Sequence, residues 1–375
     1  MTESGCPAPV EEQDRRFMAA AIRLSRRHLG LTGTNPSVGT IIVRDDGTGP
    51  MIVGTGVTAH GGRPHAEAQA LAEAGELGRG ATAYATLEPC AHHGRTPPCA
   101  NALVSAGIRR VVVAAHDPDD RVSGKGNDIL RAAGIEVVEG VLAREAADEL
   151  AGYLNRSAKK RPEVTLKLAL STDGMIGRKG KGQVAITGPL SRAQVHVMRA
   201  QSDAILIGIG TALADDPSLT CRLPGLEDRS PIRIVLDCAL RLPLGSALVR
   251  SAREVPVWIA ASAGADAGRK AALMAAGCRI LATETVGGGV AIPELLDDLA
   301  AQGIATLMVE GGAAIASNFL NEGLVDRLSI FRGPDAIGAE GVAVPDLQSH
   351  IAACFVQTRD MRFGPDRFTE LVRKS

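Results

Sequence analysis

The residues with the plainest capacity for chemistry lie between Pro64 and Cys99. The run Pro64-His65-Ala66-Glu67 is followed by Glu88-Pro89-Cys90 and then by Pro97-Pro98-Cys99. One imidazole, two thiols and one carboxylate are the set that a catalytic zinc site requires. Such a site takes three nitrogen or sulfur ligands and keeps a fourth position for water, whose pKa falls from about 15.7 to about 7. His65, Cys90 and Cys99 are the candidate Zn²⁺ ligands. Glu67, two residues past the histidine, is placed to shuttle protons without ligating, the role a carboxylate has in zinc deaminases with the H-x-E…P-C-x-x-C pattern. The pattern points to a hydrolytic deaminase.

Its second half is stretched. Eight residues, Ala91 to Pro98, separate the two cysteines, so a loop must close the metal set. His92 and His93 stand in that loop as alternative ligands. Pro97-Pro98 favours a helix start at Cys99, and a helix N-terminus lowers a thiol's pKa, which makes Cys99 the preferred third ligand. A structural zinc is the competing reading, with His92 or His93 as a fourth ligand. Glu67 separates the two, since a structural site has no use for it.

These groups need elements to carry them. Phe17, Ala21, Leu24 and His28 recur at helical spacing up to Gly30, which predicts an amphipathic helix. Val38–Val43 and Met51–Val57 flank Asp45-Asp46-Gly47 and read as an antiparallel hairpin. A helix from His65 to Ala74, a strand over Thr82–Leu87 and a helix from Cys99 to Ala106 follow, so the ligands fall at helix starts beyond strand ends. Strands over Arg110–Ala115 and Ile135–Val138, a helix over Asp128–Ala133 and an exit helix over Leu142–Arg156 complete a mixed sheet. Asn35, in Asn35-Pro36-Ser37-Val38-Gly39, is either a turn initiator or a donor and acceptor for a pyrimidine edge or ribosyl hydroxyl.

Lys159-Lys160-Arg161-Pro162 reads as a linker. Beyond it, short apolar runs at Val164–Leu170, Ala204–Gly208, Ile232–Leu236, Val255–Ala260, Arg279–Ala282 and Thr306–Val309 alternate with helices over Pro189–Ser202, Ala267–Ala276 and Pro293–Ala301. This predicts a second α/β sheet buried on both faces, with Thr187 as candidate cap of the helix at Pro189. Two places there carry chemistry. Glu310-Gly311-Gly312 follows a strand and opens a helix, offering free N–H groups to a phosphate or merely a tight turn. Gly208 to Arg222 adds glycines, the pair Asp215-Asp216 and an arginine able to hold phosphate bidentately, or else a solvated turn. Read from the residues alone, this half is a nucleotide-binding α/β domain.

The bulk properties exclude other classes. A chain of 375 residues suits two domains, and its 45% apolar but only 2% aromatic composition gives an aliphatic core without base-stacking platforms. A net charge of −1 provides no field for a polyanion, which argues against nucleic acid and against a base deaminase acting on RNA. Seven cysteines without regular spacing suit a reducing compartment. The first residues lack a basic-then-apolar leader and no apolar run approaches about 20 residues, so a cytoplasmic protein away from membranes is expected.

The metal loop, Thr86-Leu-Glu-Pro-Cys90-Ala-His-His-Gly-Arg-Thr-Pro-Pro-Cys99 after Pro-His65-Ala-Glu67, resembles the bifunctional deaminase/reductase family of riboflavin biosynthesis. The resemblance extends over nearly the whole chain through Lys167-Leu-Ala-Leu-Ser171-Thr-Asp173-Gly174, Ala-Asp215-Asp216-Pro-Ser-Leu219-Thr-Cys-Arg222 and Val309-Glu310-Gly311-Gly312. It implies an α/β protein with a cytidine-deaminase-like three-layer α/β/α domain over residues 1–157 and a dihydrofolate-reductase-like α/β domain over 158–375. It further implies zinc on His65, Cys90 and Cys99, Glu67 as proton shuttle, and NADPH in the second domain. The dinucleotide would touch Ala169, Ala185, Thr211, Asp215 and the segment Gly312, Ala313, Ala314, Ile315, Ala316, Ser317 and Asn318. A pyrimidine ribosyl phosphate would touch Asn35, Lys167, Asp173, Gln183, Arg199, Leu219, Arg222 and Glu310, in a homo-oligomer of two or four chains. Two positions depart from the family pattern: Ala185 stands where many members have tryptophan, and Thr58, with His60 nearby, where many have histidine.

Overall fold

The computed structural model describes residues 12–92, 97–119, 122–180 and 184–374. The chain divides into two compact units, Met1–Lys160 and Arg161–Ser375. Each has its own sheet and core.

In the N-terminal unit, strands β1 (Gly39–Arg44), β2 (Met51–Val57), β3 (Thr82–Leu87), β4 (Arg110–Ala115) and β5 (Glu136–Glu139) form a sheet in the order β2-β1-β3-β4-β5. The hairpin β1–β2 and the pair β1–β3 are antiparallel, and β3–β4 and β4–β5 are parallel. The helices are α1 (Glu12–Ser25), α2 (Ala66–Ala74), α3 (Cys99–Ser105), α4 (Lys125–Ala132), α5 (Ala143–Glu149) and α6 (Ala151–Lys159). Alternate strand residues point to opposite faces. Ile41, Tyr84 and Val112 meet α1 and α5 through Phe17, Met18 and Ala146, whereas Ile42, Ala83, Val111 and Val113 meet α2, α3 and α4 through Ala70, Leu103 and Leu130. The unit is therefore a three-layer α/β/α sandwich.

One close approach matters for the site. A Cβ built on Gly56 of β2 would lie 2.0 Å from the Ala66 carbonyl, so glycine at that position lets the first turn of α2 press directly on the strand. The predicted exit helix over 142–156 is instead two helices. Leu150 leaves helical geometry at the junction and buries its side chain, so the bend serves the core.

The C-terminal unit has one nine-stranded sheet. Its strands are β6 (Glu163–Leu170), β8 (Ala204–Gly208), β9 (Ile232–Leu236), β10 (Val257–Ser262), β11 (Arg279–Thr283), β14 (Thr306–Val309), β15 (Arg327–Arg332), β17 (Phe355–Phe363) and β18 (Asp366–Arg373). Two small ribbons pair β7 (Met175–Arg178) with β16 (Gly341–Ala343) and β12 (Thr285–Val286) with β13 (Gly289–Val290). The large sheet runs β11-β10-β9-β8-β14-β6-β15-β18-β17. Strands β11 to β15 of that order are parallel, and the C-terminal hairpin β17–β18 adds antiparallel at the edge.

Helices cover both faces, as parallel strands require. α11 (Ile292–Ala301), α12 (Ala313–Asn321) and α13 (Leu347–Cys354) pack on one face with Leu166, Leu168 and Val309. α8 (Ile209–Asp215), α9 (Ala247–Arg250) and α10 (Ala267–Ala275) pack on the other with Ile205, Val235 and Ile259, and α7 (Pro189–Ala200) joins that face through Val195 against Met308 and Phe331. Thr187 does not cap α7. The cap is supplied from β18, where the buried Asp366 carboxylate accepts the Gly188 N–H at 2.8 Å and the Ser191 hydroxyl at 2.5 Å. Among the described residues no helix is long and apolar enough to cross a membrane.

Candidate active sites

In the N-terminal unit two helix starts and one strand end converge. His65 is the cap residue of α2, Glu67 sits in that helix's first turn, Cys99 opens α3, and Cys90 follows β3. His65 Nδ1 lies 3.7 Å from Cys90 Sγ and 3.4 Å from Cys99 Sγ, and the three donor atoms all fall within 4.8 Å of one another. Tetrahedral zinc with bonds of about 2.1 Å to nitrogen and about 2.3 Å to sulfur spaces its ligands about 3.6 Å apart, so this donor set fits the ion. Among the described residues, no fourth ligand joins the group. The His92 Nδ1 is buried without a partner and stays outside it; His93 lies outside the described residues.

Electrostatics follow from the helix starts. The Cys99 N–H, at the head of α3, donates to Cys90 Sγ at 3.3 Å. Hydrogen bonds from Cys99 foremost, with His65 assisting against burial, bring the Cys90 thiol down to about 4, while the same pairing and burial push Cys99 up. The Cys90 contact also raises His65. Glu67 is 4% exposed, and burial foremost, then the Cys90 charge, raises its carboxyl above the ordinary range. It also contacts Cys99, which places it beside the donor set without belonging to it.

A frame of hydrogen bonds holds this arrangement. The Glu88 carboxylate, two residues before Cys90, accepts the N–H groups of Gly124 and Gly126 at 3.1 Å each and pairs with His116 at 3.0 Å. Asn35 is brought to the segment leading into His65: a Cβ on Gly62 would lie 2.1 Å from Asn35 Nδ2. Thr58 is buried and accepts the Val38 N–H at 3.0 Å, so it ties β1 to the start of this segment. His60 is exposed and meets His28 edge-on at 4.6 Å.

The C-terminal unit gathers its groups at the carboxyl ends of parallel strands. Adjacent strands β8 and β14 send their following helices to opposite faces, α8 to one and α12 to the other. That is a topological switch point, where open α/β sheets bind ligands. Gly312 caps α12 and a Cβ on it would lie 3.3 Å from Thr211 Oγ1, so Thr211 and the α12 start are neighbours. Ile315 fills the space above Gly208 and Gly311, whereas Ala316 turns into the core. Asp215 ends α8 with its carboxyl raised by burial, Ala169 lies on β6 on the same face as Lys167, and Ala185 is exposed in the segment whose Ile186 carbonyl rests on Gly333. Gln183 lies outside the described residues.

Beside the switch point is a charged cluster. Arg199 holds Glu310 through two bonds, Nε–Oε1 at 2.8 Å and Nη2–Oε2 at 3.1 Å, and Lys167 Nζ stands 3.6 Å from Oε2. Burial opposes ionisation of Glu310, but Arg199 and Lys167 outweigh it and bring the carboxyl down to about 2. Arg199 also donates to the Thr220 carbonyl at 3.2 Å. Arg222 is exposed, with its N–H on His196 Nδ1 at 3.3 Å and its guanidinium on Ser218 Oγ at 2.6 Å. Leu219 has φ 54° and a side chain 4% exposed in the core, which leaves that side chain no room to meet a ligand. Asp173 is engaged elsewhere: Ser171 foremost, then the N–H groups of Gly338 and Ile337, hold it at about 2.

Sequence reasoning missed His196. Its spacing of three from Arg199 on one helix face was the available signal, since residues three apart are neighbours.

Comparison with known proteins agrees with both halves. Residues 11–115 match the cytidine and deoxycytidylate deaminase zinc-binding region, and residues 162–363 match the RibD C-terminal domain. The riboflavin biosynthesis protein RibD of Aquifex aeolicus is 39% identical over 338 residues, covering 90% of this chain and 91% of its own length. That of Escherichia coli is 37% identical, covering 96% and 99%. Among solved structures, Acinetobacter baumannii RibD superposes with a TM-score of 0.84 at 36% identity, covering 97% of this chain and 99% of that one. A diaminohydroxyphosphoribosylaminopyrimidine deaminase/5-amino-6-(5-phosphoribosylamino)uracil reductase from Thermotoga maritima gives 0.83 at 32% identity, covering 96% and 99%. With a zinc donor set and a buried acid in one unit and a switch-point cluster in the other, the chain belongs to the RibD family of bifunctional deaminase/reductases of riboflavin biosynthesis.

Proposed function

We propose that residues 1–157 hydrolyse the ring amine of 2,5-diamino-6-ribosylamino-4(3H)-pyrimidinone 5′-phosphate and that residues 158–375 then reduce the ribosyl group to ribityl phosphate with NADPH. The observation that carries the first step is a buried, non-ligating Glu67 against the His65, Cys90 and Cys99 donor set. Zinc held there supplies a Lewis acid that makes water nucleophilic near neutral pH. Glu67 takes the proton from the attacking water and returns it to the departing amine, so that one water enters and one ammonia leaves. Asn35 orients the pyrimidine from the wall beside Gly62.

For the second step, NADPH bound in this unit would supply the hydride for C1 of the opened ribosylamine, whose nitrogen takes its proton from solvent. Ala169, Ala185, Thr211, Asp215 and the start of α12 from Gly312 to Asn318 hold the dinucleotide across the β8/β14 switch. Arg199 and Glu310, locked together, give a rigid polar wall, and Lys167 on that wall bonds the sugar. Arg222 and the backbone of Leu219 grip the 5′-phosphate; the expected contact from Gln183 falls outside the described residues. Asp173 acts at one remove by holding the loop at Ile337 and Gly338. Six described cysteines are unpaired, which suits work in the cytoplasm, as a homo-oligomer of two or four chains.

The test gives the purified protein the diaminopyrimidine ribosyl phosphate with and without NADPH and follows ammonia and NADPH separately. Ammonia release in both arms and NADPH oxidation only after it are expected. NADPH oxidation without prior ammonia release, or no ammonia at all, overturns the assignment.

A further inference from the structure

Arg233, on β9, is fully buried, and among the described residues no carboxylate comes within ion-pair distance of it, Glu254 acting only at longer range. Its guanidinium donates to the Ser218 carbonyl at 3.1 Å, to Ser251 Oγ at 2.8 Å, to the Ser251 carbonyl at 3.1 Å and to the Val255 carbonyl. Burial draws its pKa down to about 10, so it remains a cation at neutral pH. A cation buried among neutral acceptors is an expensive way to fill a core, and an aliphatic side chain of similar volume would serve packing better. What the guanidinium does that an aliphatic cannot is join two stretches of backbone: Ser218, in the loop after α8, and the turn 251–255 after α9.

The loop it reaches is the one that carries Leu219 and Arg222. Asp216 anchors the start of that loop on the Ala247 N–H at 2.7 Å, and Leu219 is held at φ 54°, a conformation that persists in a leucine only where the surroundings impose it. Ser218 supplies both contacts that matter: its carbonyl takes Arg233 from below, and its hydroxyl takes the Arg222 guanidinium at 2.6 Å from above. We propose that Arg233 is a positioning residue for the reductase step, fixing Ser218 so that Arg222 is presented to the substrate phosphate. This rests on the reading of Arg222 as a phosphate contact.

The test is a double-mutant cycle on the full chain, with deaminase turnover read in parallel as an internal reference. Arg222→Ala is expected to raise the reductase KM for the phosphorylated substrate about 30-fold, as loss of a charge-assisted contact does. Arg233→Gln is expected to raise the same KM about 10-fold while the NADPH Kd, read by quenching of nicotinamide fluorescence, and kcat stay within 2-fold. In the Arg222→Ala background Arg233→Gln should add less than 2-fold, because its effect passes through Arg222. Arg233→Lys, which keeps the charge and one or two of the carbonyl contacts, should recover part of the loss. Ser251→Ala, which leaves the Ser218 bond in place, should leave KM unchanged. A large Arg222→Ala effect with a fully additive Arg233→Gln overturns the positioning role alone. Parallel loss of NADPH affinity in Arg233→Gln and Arg233→Lys would make the residue merely structural and also overturns it. A silent Arg222→Ala removes the phosphate reading, and the inference with it.

Discussion

In the N-terminal unit the metal donors and their acid come from two short stretches, each delivered by a helix start or a strand end: His65 and Glu67 on α2, Cys90 after β3, Cys99 on α3. In the C-terminal unit Lys167 comes from β6, His196 and Arg199 from α7, Arg222 from the loop after α8, and Glu310 from the end of β14. The first set is organised around what a metal demands, a few soft donors at fixed spacing. The second is organised around what a sheet permits, namely charges from distant segments that meet because parallel strands end side by side. A local motif can therefore be altered by one residue without touching the fold, whereas the charged cluster and its fold are the same network.

Four measurements sharpen or break this contrast. The largest effect is expected for Glu67→Gln, which should lower ammonia release about 10³-fold with zinc content unchanged, since general acid–base groups contribute about 10²–10⁴. Loss of zinc in that variant, read by metal analysis, would put Glu67 in the donor set instead. Next comes Glu310, whose carboxyl lies near 2 against an ordinary 4.5. Its contribution is fully present above pH 4.5 and is lost as pH falls towards 2, about 3 kcal/mol in all. Chemical denaturation of the C-terminal unit between pH 5 and 2 should show that loss, and Glu310→Gln should flatten it.

Smaller changes probe the walls of each site. Asn35→Ala should raise the deaminase KM about tenfold, the scale of one or two hydrogen bonds, and leave NADPH oxidation on deaminated substrate unaltered. An equal effect on both reactions would show that the units do not act separately. The mildest is His196→Ala, which removes the acceptor of the Arg222 N–H and should raise the reductase KM about threefold. No change there would confine His196 to the scaffold.

The same contrast explains what was legible beforehand. The zinc set, α2, α3 and β3 could be read because ligand types, proline punctuation and periodicity all lie within the motif itself. The switch point could not, since strand order depends on which segments pair and not on any one of them. The C-terminal hairpin is hidden in the sequence for a different reason. β17 is an exposed edge with almost no buried positions, and β18 points Asp366 and Glu370 inward beside Phe368, so neither shows the apolar alternation that marks a strand. The break at Leu150 leaves no mark in the sequence because helical periodicity runs through it. Arg233 lies within the apolar run Ile232–Leu236, and nothing in its neighbours tells that Ser218 and Ser251 meet it.

Asp366 has one consequence for the making of the protein. It lies beyond the stretch matched by the reductase family model, yet it seats the first turn of α7, the helix that bears His196 and Arg199. During synthesis the deaminase unit leaves the ribosome well before that carboxylate is added, so it can finish folding while the other half still waits for β18. A stop codon placed ahead of Asp366 should thus yield a polypeptide that releases ammonia without oxidising NADPH.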